Sequence, residues 1–205
     1  MLRRHAAGTG CTVHVGGNVG TPILDRLGQV GEDDLIVLEL SSFQLEIFDP
    51  ALAYGPMEGI GPDVAAILNL TPNHLDRHPS MRAYADAKFN LLRHLKPTSQ
   101  LILSGDDSVT SRLGSADGTS AGDPLPGGWE MEPLLAELSQ RLAEQGVQPR
   151  FFSRNRPLAT GAWLEGDELI CDGAAFCRGE VVLLRGEHDI SNLLAASAIS
   201  RAAGA

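Results

Sequence analysis

The stretch that most constrains this chain is Leu35-Ile36-Val37-Leu38-Glu39-Leu40-Ser41-Ser42-Phe43-Gln44. Four consecutive apolar residues without alternation predict a strand buried on both faces, as in a parallel sheet covered by helices. A carboxylate follows at once, then two hydroxyls. Residues 64–70 repeat the pattern, ending in Asn69 and leading into Thr71-Pro72-Asn73-His74-Leu75-Asp76-Arg77-His78. Ligands of open α/β sheets bind outside the carboxyl ends of the strands, so two such runs predict one shared crevice. Glu39 is costly to desolvate there unless it meets a cation or a full set of donors. Capping by local backbone N–H groups is the plain alternative, and the residues leave both open.

Upstream, residues 11–15 predict a short strand, followed by Gly16-Gly17-Asn18-Val19-Gly20-Thr21-Pro22. Pro22 suits the first turn of a helix, and Ile23, Leu24 and Leu27 give that helix an apolar side. The glycines either bring backbone N–H groups up to a phosphate or simply make a tight turn. The phosphate-loop pattern G-x-x-x-x-G-K-[ST] occurs nowhere in the chain. A helix begins near Phe43 and stops near Pro50. Ser80 caps a longer helix in which Met81, Tyr84, Ala85, Phe89, Leu91, Leu92 and Leu95 share one face. Arg82, Asp86, Asn90, Arg93 and His94 fall on the other. Lys88 lies in the middle of the apolar face. It either snorkels to water or points into a functional crevice, where burial lowers its pKa and makes the amine reactive.

Leu101-Ile102-Leu103 predicts a third strand, ending in Ser104-Gly105-Asp106-Asp107. Residues 114–128 read as a linker. Met131, Leu134, Leu135, Leu138 and Leu142 then predict a helix stopped by Gly146. Phe151-Phe152, Ala162-Trp163-Leu164, Leu169-Ile170-Cys171 and residues 181–184 read as a meander of short strands. The segment from Gly186 to Asn192 leads into an alanine-rich helix. The whole predicts an α/β fold, a mostly parallel sheet flanked by helices, with a small antiparallel β appendage.

The net charge of −10 disfavours a nucleic-acid or anionic-membrane surface, since both need a basic face. It leaves room for a nucleotide held in a local pocket with a metal. Three cysteines, odd in number and without metal spacing, fit a reducing, cytoplasmic compartment. No apolar run is long enough to span a bilayer.

Glu39, His74 and Lys88 lie on three segments that converge if the sheet is parallel. Glutamate and histidine can both ligate a divalent ion, whereas an ammonium would repel it. A lysine carbamylated by CO₂ would carry a carboxylate instead, and a buried neutral amine is the species able to react that way.

The strings Gly16-Gly17-Asn18-Val19-Gly20-Thr21-Pro22, Glu39-Leu40-Ser41-Ser42-Phe43-Gln44-Leu45-Glu46 and Asn69-Leu70-Thr71-Pro72-Asn73-His74-Leu75-Asp76-Arg77, with the spacing to Ala87-Lys88, closely resemble the Mur ligases. The second string resembles the branch that adds D-glutamate. The resemblance runs from about residue 11 to the end, with residues 114–150 as an insertion of linker and helix. It implies a cytoplasmic, ATP- and Mg²⁺-dependent amide ligase of peptidoglycan synthesis acting on UDP-MurNAc-L-Ala and D-glutamate. By position it implies Glu39 on one Mg²⁺, and His74 with carbamylated Lys88 on a second. It places Asn18 at the muramoyl substrate or the phosphates, Ser42 and Gln44 on the substrate side, and Asn192 near the adenine. The family's phosphate loop and its strand should precede residue 11 and are missing. So are the N-terminal domain that holds the UDP moiety and the C-terminal domain that helps bind D-glutamate. Where the family often has His-Asn, this chain has His188-Asp189. The expectation is therefore a central-domain fragment, residues 1–205, truncated at both ends and inactive alone. Another Mur ligase, a folylpolyglutamate synthase, or a non-catalytic remnant are the alternatives.

Overall fold

The computed structural model describes residues 2, 10–20, 22–52, 61–73, 75–114, 125–178 and 186–204. Strands β1 (Val13–Gly17) and β2 (Leu35–Glu39) form a parallel pair, with Val15 opposite Val37. A 3₁₀ helix, Ile23–Gln29, links them. Helix α1 (Ser42–Glu46) follows. The second sheet has six strands in chain order: β3 (Val64–Ile67), β4 (Gln100–Ser104), β5 (Pro149–Ser153), β6 (Gly161–Glu165), β7 (Glu168–Cys171) and β8 (Ala174–Arg178). The first four are mutually parallel, and β7 and β8 run antiparallel. Three helices complete the fold: α2 (Met81–Arg93), α3 (Glu132–Gln145) and α4 (Glu187–Ala202).

The larger sheet is covered on both faces, and β4 shows it most plainly. Leu101 and Leu103 pack with residues of α2 and α3, including Phe89, Leu92 and Leu138. Ile102, on the opposite face, packs with Leu194, Ala195 and Ala198 of α4. Alternate residues of a strand point to opposite faces, so an unbroken apolar run satisfies two helical layers at once. The expected α/β fold with a mostly parallel sheet, flanking helices and antiparallel strands is the one observed.

Several local expectations are corrected. The strand expected to be buried on both faces, β2, pairs only with β1 among the described residues, and Ile36 and Leu38 stay 45% and 44% exposed. The apolar side of residues 23–27 covers no core: Leu24 and Leu27 are exposed on a 3₁₀ helix. Phe151-Phe152 belongs to no meander, because β5 pairs parallel with both β4 and β6. Adjacent parallel strands usually need a crossover of about a dozen residues or more, yet residues 154–160 suffice. Gly161 permits the tight return: at φ +102 it approaches the Phe151 carbonyl so closely that a Cβ would collide with it. Strand β8 was not foreseen, and the expected strand at 181–184 lies outside the described residues. The linker is described only at its ends; Leu125, beside it, is buried.

Candidate functional site

Glu39 closes β2, as a strand-end ligand residue should. The turn after β1 folds over it. Gly17, at φ +109, lies so close to the Glu39 carbonyl that a Cβ there would collide with it, and the Asn18 N–H donates to that carbonyl at 2.6 Å. This glycine therefore serves close backbone approach. The side chains of Asn18 and Glu39 remain exposed. Among the described residues none donates a hydrogen bond to the Glu39 carboxylate.

Lys88, on the second turn of α2, is half-buried. Burial pushes its pKa down, and the nearby Glu39 carboxylate partly offsets this by favouring the ammonium. The same interaction places the two side chains within electrostatic reach of each other. One turn back along α2, Tyr84 presents its ring to the Lys88 Nζ at 5.3 Å from the centroid.

Behind this pair stands a buried polar junction between α1 and α2. Ser41 and Gln44 form a capping box: the Gln44 N–H donates to Ser41 Oγ at 3.3 Å, and the Ser41 N–H donates to Gln44 Oε1 at 2.9 Å. Ser42 Oγ lies 2.9 Å from His78 Nε2, and His78 Nδ1 lies 3.3 Å from Glu46 Oε1. In the tautomer with its N–H at Nδ1, the ring donates to the carboxylate and Nε2 accepts from the serine hydroxyl. The imidazole stacks on Phe43 (5.2 Å between centroids, 1° between planes) and tilts against Tyr84 (5.2 Å, 54°). The Arg77 guanidinium covers Phe43, 4.4 Å from its centroid. Further along, Asn90 Nδ2 donates to the Leu45 carbonyl at 3.1 Å. His94 Nε2 donates to the Phe48 carbonyl at 2.6 Å. Asn90 was expected on the solvent face; α1 covers that face and buries it.

The loop after β3 is tied to the loop after β4. Asp107 Oδ2 accepts from the Leu70 N–H at 2.8 Å, while Oδ1 takes the N–H groups of Val109 and Thr110. Asp107 thus anchors the stretch leading to His74, although His74 lies outside the described residues. Asn192 sits exposed on α4, which packs across β3 to β7. Of the predicted site residues, Glu39 and Lys88 are close enough for the carboxylate to favour the ammonium, the Asn18 N–H bonds the Glu39 carbonyl, and Ser42 and Gln44 are engaged in the polar junction of α1. Reading the sequence missed His78, Tyr84 and Asp107. Only Tyr84 left a signal, four residues before Lys88 on one helical face.

Among the described residues no three His, Cys, Asp or Glu side chains gather around one point. Magnesium is commonly held by one or two carboxylates, with phosphate oxygens and water completing the shell. The exposed Glu39 carboxylate suits that role. Among the described residues no helix is long and apolar enough to cross a membrane.

The profile of the Mur ligase middle domain matches residues 17–119. Over 182 residues the chain is 32% identical to UDP-N-acetylmuramoylalanine–D-glutamate ligase of Clostridium novyi (strain NT), covering 89% of this chain and 31% of that protein. The protein of the same name from Clostridium botulinum (strain Okra / Type B1) is 33% identical over 196 residues, covering 96% and 34%. The chain therefore spans about a third of the length of these curated relatives. Among solved structures, UDP-N-acetylmuramoyl-L-alanyl-D-glutamate–2,6-diaminopimelate ligase superposes with a TM-score of 0.54 at 17% identity, covering 99% of this chain and 46% of that one. MurF from Acinetobacter baumannii gives 0.51 at 16% identity, covering 95% and 43%. At such identities the likeness concerns the fold.

Proposed function

The chain belongs to the Mur ligase middle-domain family, and from that premise we propose that it is the middle domain of an ATP-dependent ligase joining D-glutamate to UDP-N-acetylmuramoyl-L-alanine. The observation that carries this reading is an exposed carboxylate, Glu39, at the carboxyl end of β2, whose charge is felt by the half-buried amine of Lys88. The names of the curated relatives support the substrate pair.

In this reading the terminal carboxylate of the muramoyl substrate takes the γ-phosphoryl group of ATP and ADP leaves. The neutral amine of D-glutamate then attacks the acyl carbon, the C–O bond to phosphate breaks as the amide bond forms, phosphate leaves, and the amine gives up one proton to water. Glu39 would hold one Mg²⁺, and His74 with carbamylated Lys88 a second. Bound magnesium would neutralise the crowded phosphates and the charge that develops in the transition state. Lys88 reaches its carbamate when the neutral amine adds to CO₂: the nitrogen lone pair makes the N–C bond and one amine proton leaves to water. Burial, which favours the neutral amine, prepares that addition. Asn18 would face the substrate or the phosphates and Asn192 the adenine, while Ser42 and Gln44, engaged with His78 and Ser41, would back the substrate side from within. The cytoplasm, where ATP and the UDP-linked substrate are found together, is the matching compartment.

The chain alone, without a Gly-Lys-[Ser/Thr] phosphate loop, is expected to release no ADP above background when given both substrates. Joined to everything that precedes and follows the matched segment in the C. novyi relative, phosphate loop included, it is expected to release ADP only with UDP-MurNAc-L-Ala and D-glutamate together. ADP release with 2,6-diaminopimelate or a folate in place of D-glutamate would assign it to another ligase. Mg-ATP calorimetry on the chain separates a working nucleotide domain, which gives a binding heat, from a remnant, which gives none. ¹³C-bicarbonate NMR should show a carbamate carbon that disappears in Lys88→Ala; without that signal the lysine leaves the metal site.

A further inference from the structure

Of the buried polar side chains, His78 is the one whose placement exceeds what packing demands. It is 3% exposed, both ring nitrogens have partners, and two aromatic rings pack against it. Nδ1 and Nε2 reach Glu46 and Ser42, two successive turns of α1. The imidazole ring stacks on Phe43 of the same helix. It also packs at a tilt against Tyr84 of α2, whose ring carries the Lys88 ammonium. The contacts therefore form a line: α1, His78, Tyr84, Lys88. Ser42 follows Glu39 by three residues, so the near end of this line is fixed to the strand end that carries the carboxylate. A Tyr side chain has two staggered χ1 choices common in a helix. The core around Tyr84 limits them, and His78 is the polar ring that packs against it.

We propose that His78 is a positioning residue: stacked on Phe43, packed against Tyr84 and bonded to Ser42 and Glu46, it sets the Tyr84 ring over which the Lys88 ammonium lies. That Lys88 is the side chain worth holding rests on the ligase reading above. The placement itself does not, and it is measurable without nucleotide or substrate.

Lys88 and Lys96 are the only lysines in the chain, so ¹³Cε-lysine labelling gives two methylene signals. Lys96 pairs with Asp63, 2.6 Å away, and serves as an internal reference. Beneath the Tyr84 ring the Lys88 methylene should resonate upfield, and Tyr84→Leu should abolish that displacement and mark the free position. His78→Leu, which keeps apolar volume, and His78→Ala should both move Lys88 to that free position. Ser42→Ala, which deletes one bond and little volume, should move it the same way by less. His94→Ala loosens the same pair of helices further along, at Phe48, and should leave Lys88 in place. Circular dichroism and the Lys96 signal certify that each variant is folded. If every folded variant at His78 and Ser42 keeps the wild-type Lys88 position, the proposal is wrong. It is equally wrong if Tyr84→Leu leaves Lys88 unmoved, or if His94→Ala displaces it as far as His78→Leu. A failed carbamate experiment, by contrast, touches the ligase reading and leaves this placement standing.

Discussion

Lys88 sits on α2 where burial works against its charge. Burial is the larger influence on its amine and disfavours the ammonium, with Glu39 only partly offsetting it. Its folded pKa thus lies below its unfolded one, so the unfolded chain binds more protons through the intervening range and stability rises with pH there. Lys88→Met removes the buried charge while keeping the volume. We expect a higher urea midpoint than wild type at pH 7 and a gap that shrinks as pH climbs toward the ordinary lysine value; a lower midpoint at pH 7 would mean that the contacts with Tyr84 and Glu39 outweigh desolvation. Asp34 has the opposite sign. Its carboxylate accepts from the Gly31 N–H, from His14 Nε2 and from the Thr12 N–H, which hold it well below the usual carboxylate range. Its contribution is complete above the unfolded value of about 4 and is lost as pH falls from there toward the folded one. Asp34→Asn should lower the urea midpoint at pH 7, and the difference from wild type should narrow at pH 3.

At the scale of elements, α2 shows what local pattern can establish. Its cap, its 3.6-residue period and its buried face are all present in consecutive residues, and Ser80 Oγ accepts from the Ala83 N–H at 3.1 Å as the cap requires. Ser80→Ala should cost about 1 kcal/mol, the usual value of such a cap, read from urea unfolding; a loss near zero would show that packing on α1 and α3 makes the cap redundant. The polar side of α2 was less legible: nothing near Asn90 announces that α1, some 45 residues away, will cover it. Strand partners are non-local in the same sense. Leu35-Ile36-Val37-Leu38 and Leu101-Ile102-Leu103 look alike as letters, yet only β4 lies between two helical layers. β5 reads as part of a meander until its parallel neighbours are known, and β8, Ala-Ala-Phe-Cys-Arg, lacks the β-branched residues that signal a strand. The candidate site divides likewise. Glu39 and Lys88 stand in recognisable strings, while His78 acquires its role from Ser42, 36 residues earlier, a separation that no spacing rule spans.

For the molecule as a whole, the small sheet is the part whose surface is least settled by its own contacts. Among the described residues β1 and β2 bond only to each other, so their outer edges offer unpaired N–H and C=O groups. The ribbon is apolar on both faces: Val15 is exposed on one, Ile36 and Leu38 on the other. An apolar edge strand without a charge before Glu39 is a template for another strand, and a second copy of the same chain supplies one. In an antiparallel pairing of two β2 strands centred on Val37, Ile36 of each copy would lie opposite Leu38 of the other and shield apolar area from water. The isolated chain should therefore sediment as a concentration-dependent mixture of monomer and dimer. Leu38→Lys sets a charge opposite Ile36 of the second copy and should return it to monomer without altering the circular dichroism of the six-stranded sheet. A wild-type chain that sediments as a monomer at every concentration would show that the β2 edge is already protected, and Leu38→Lys would then change nothing.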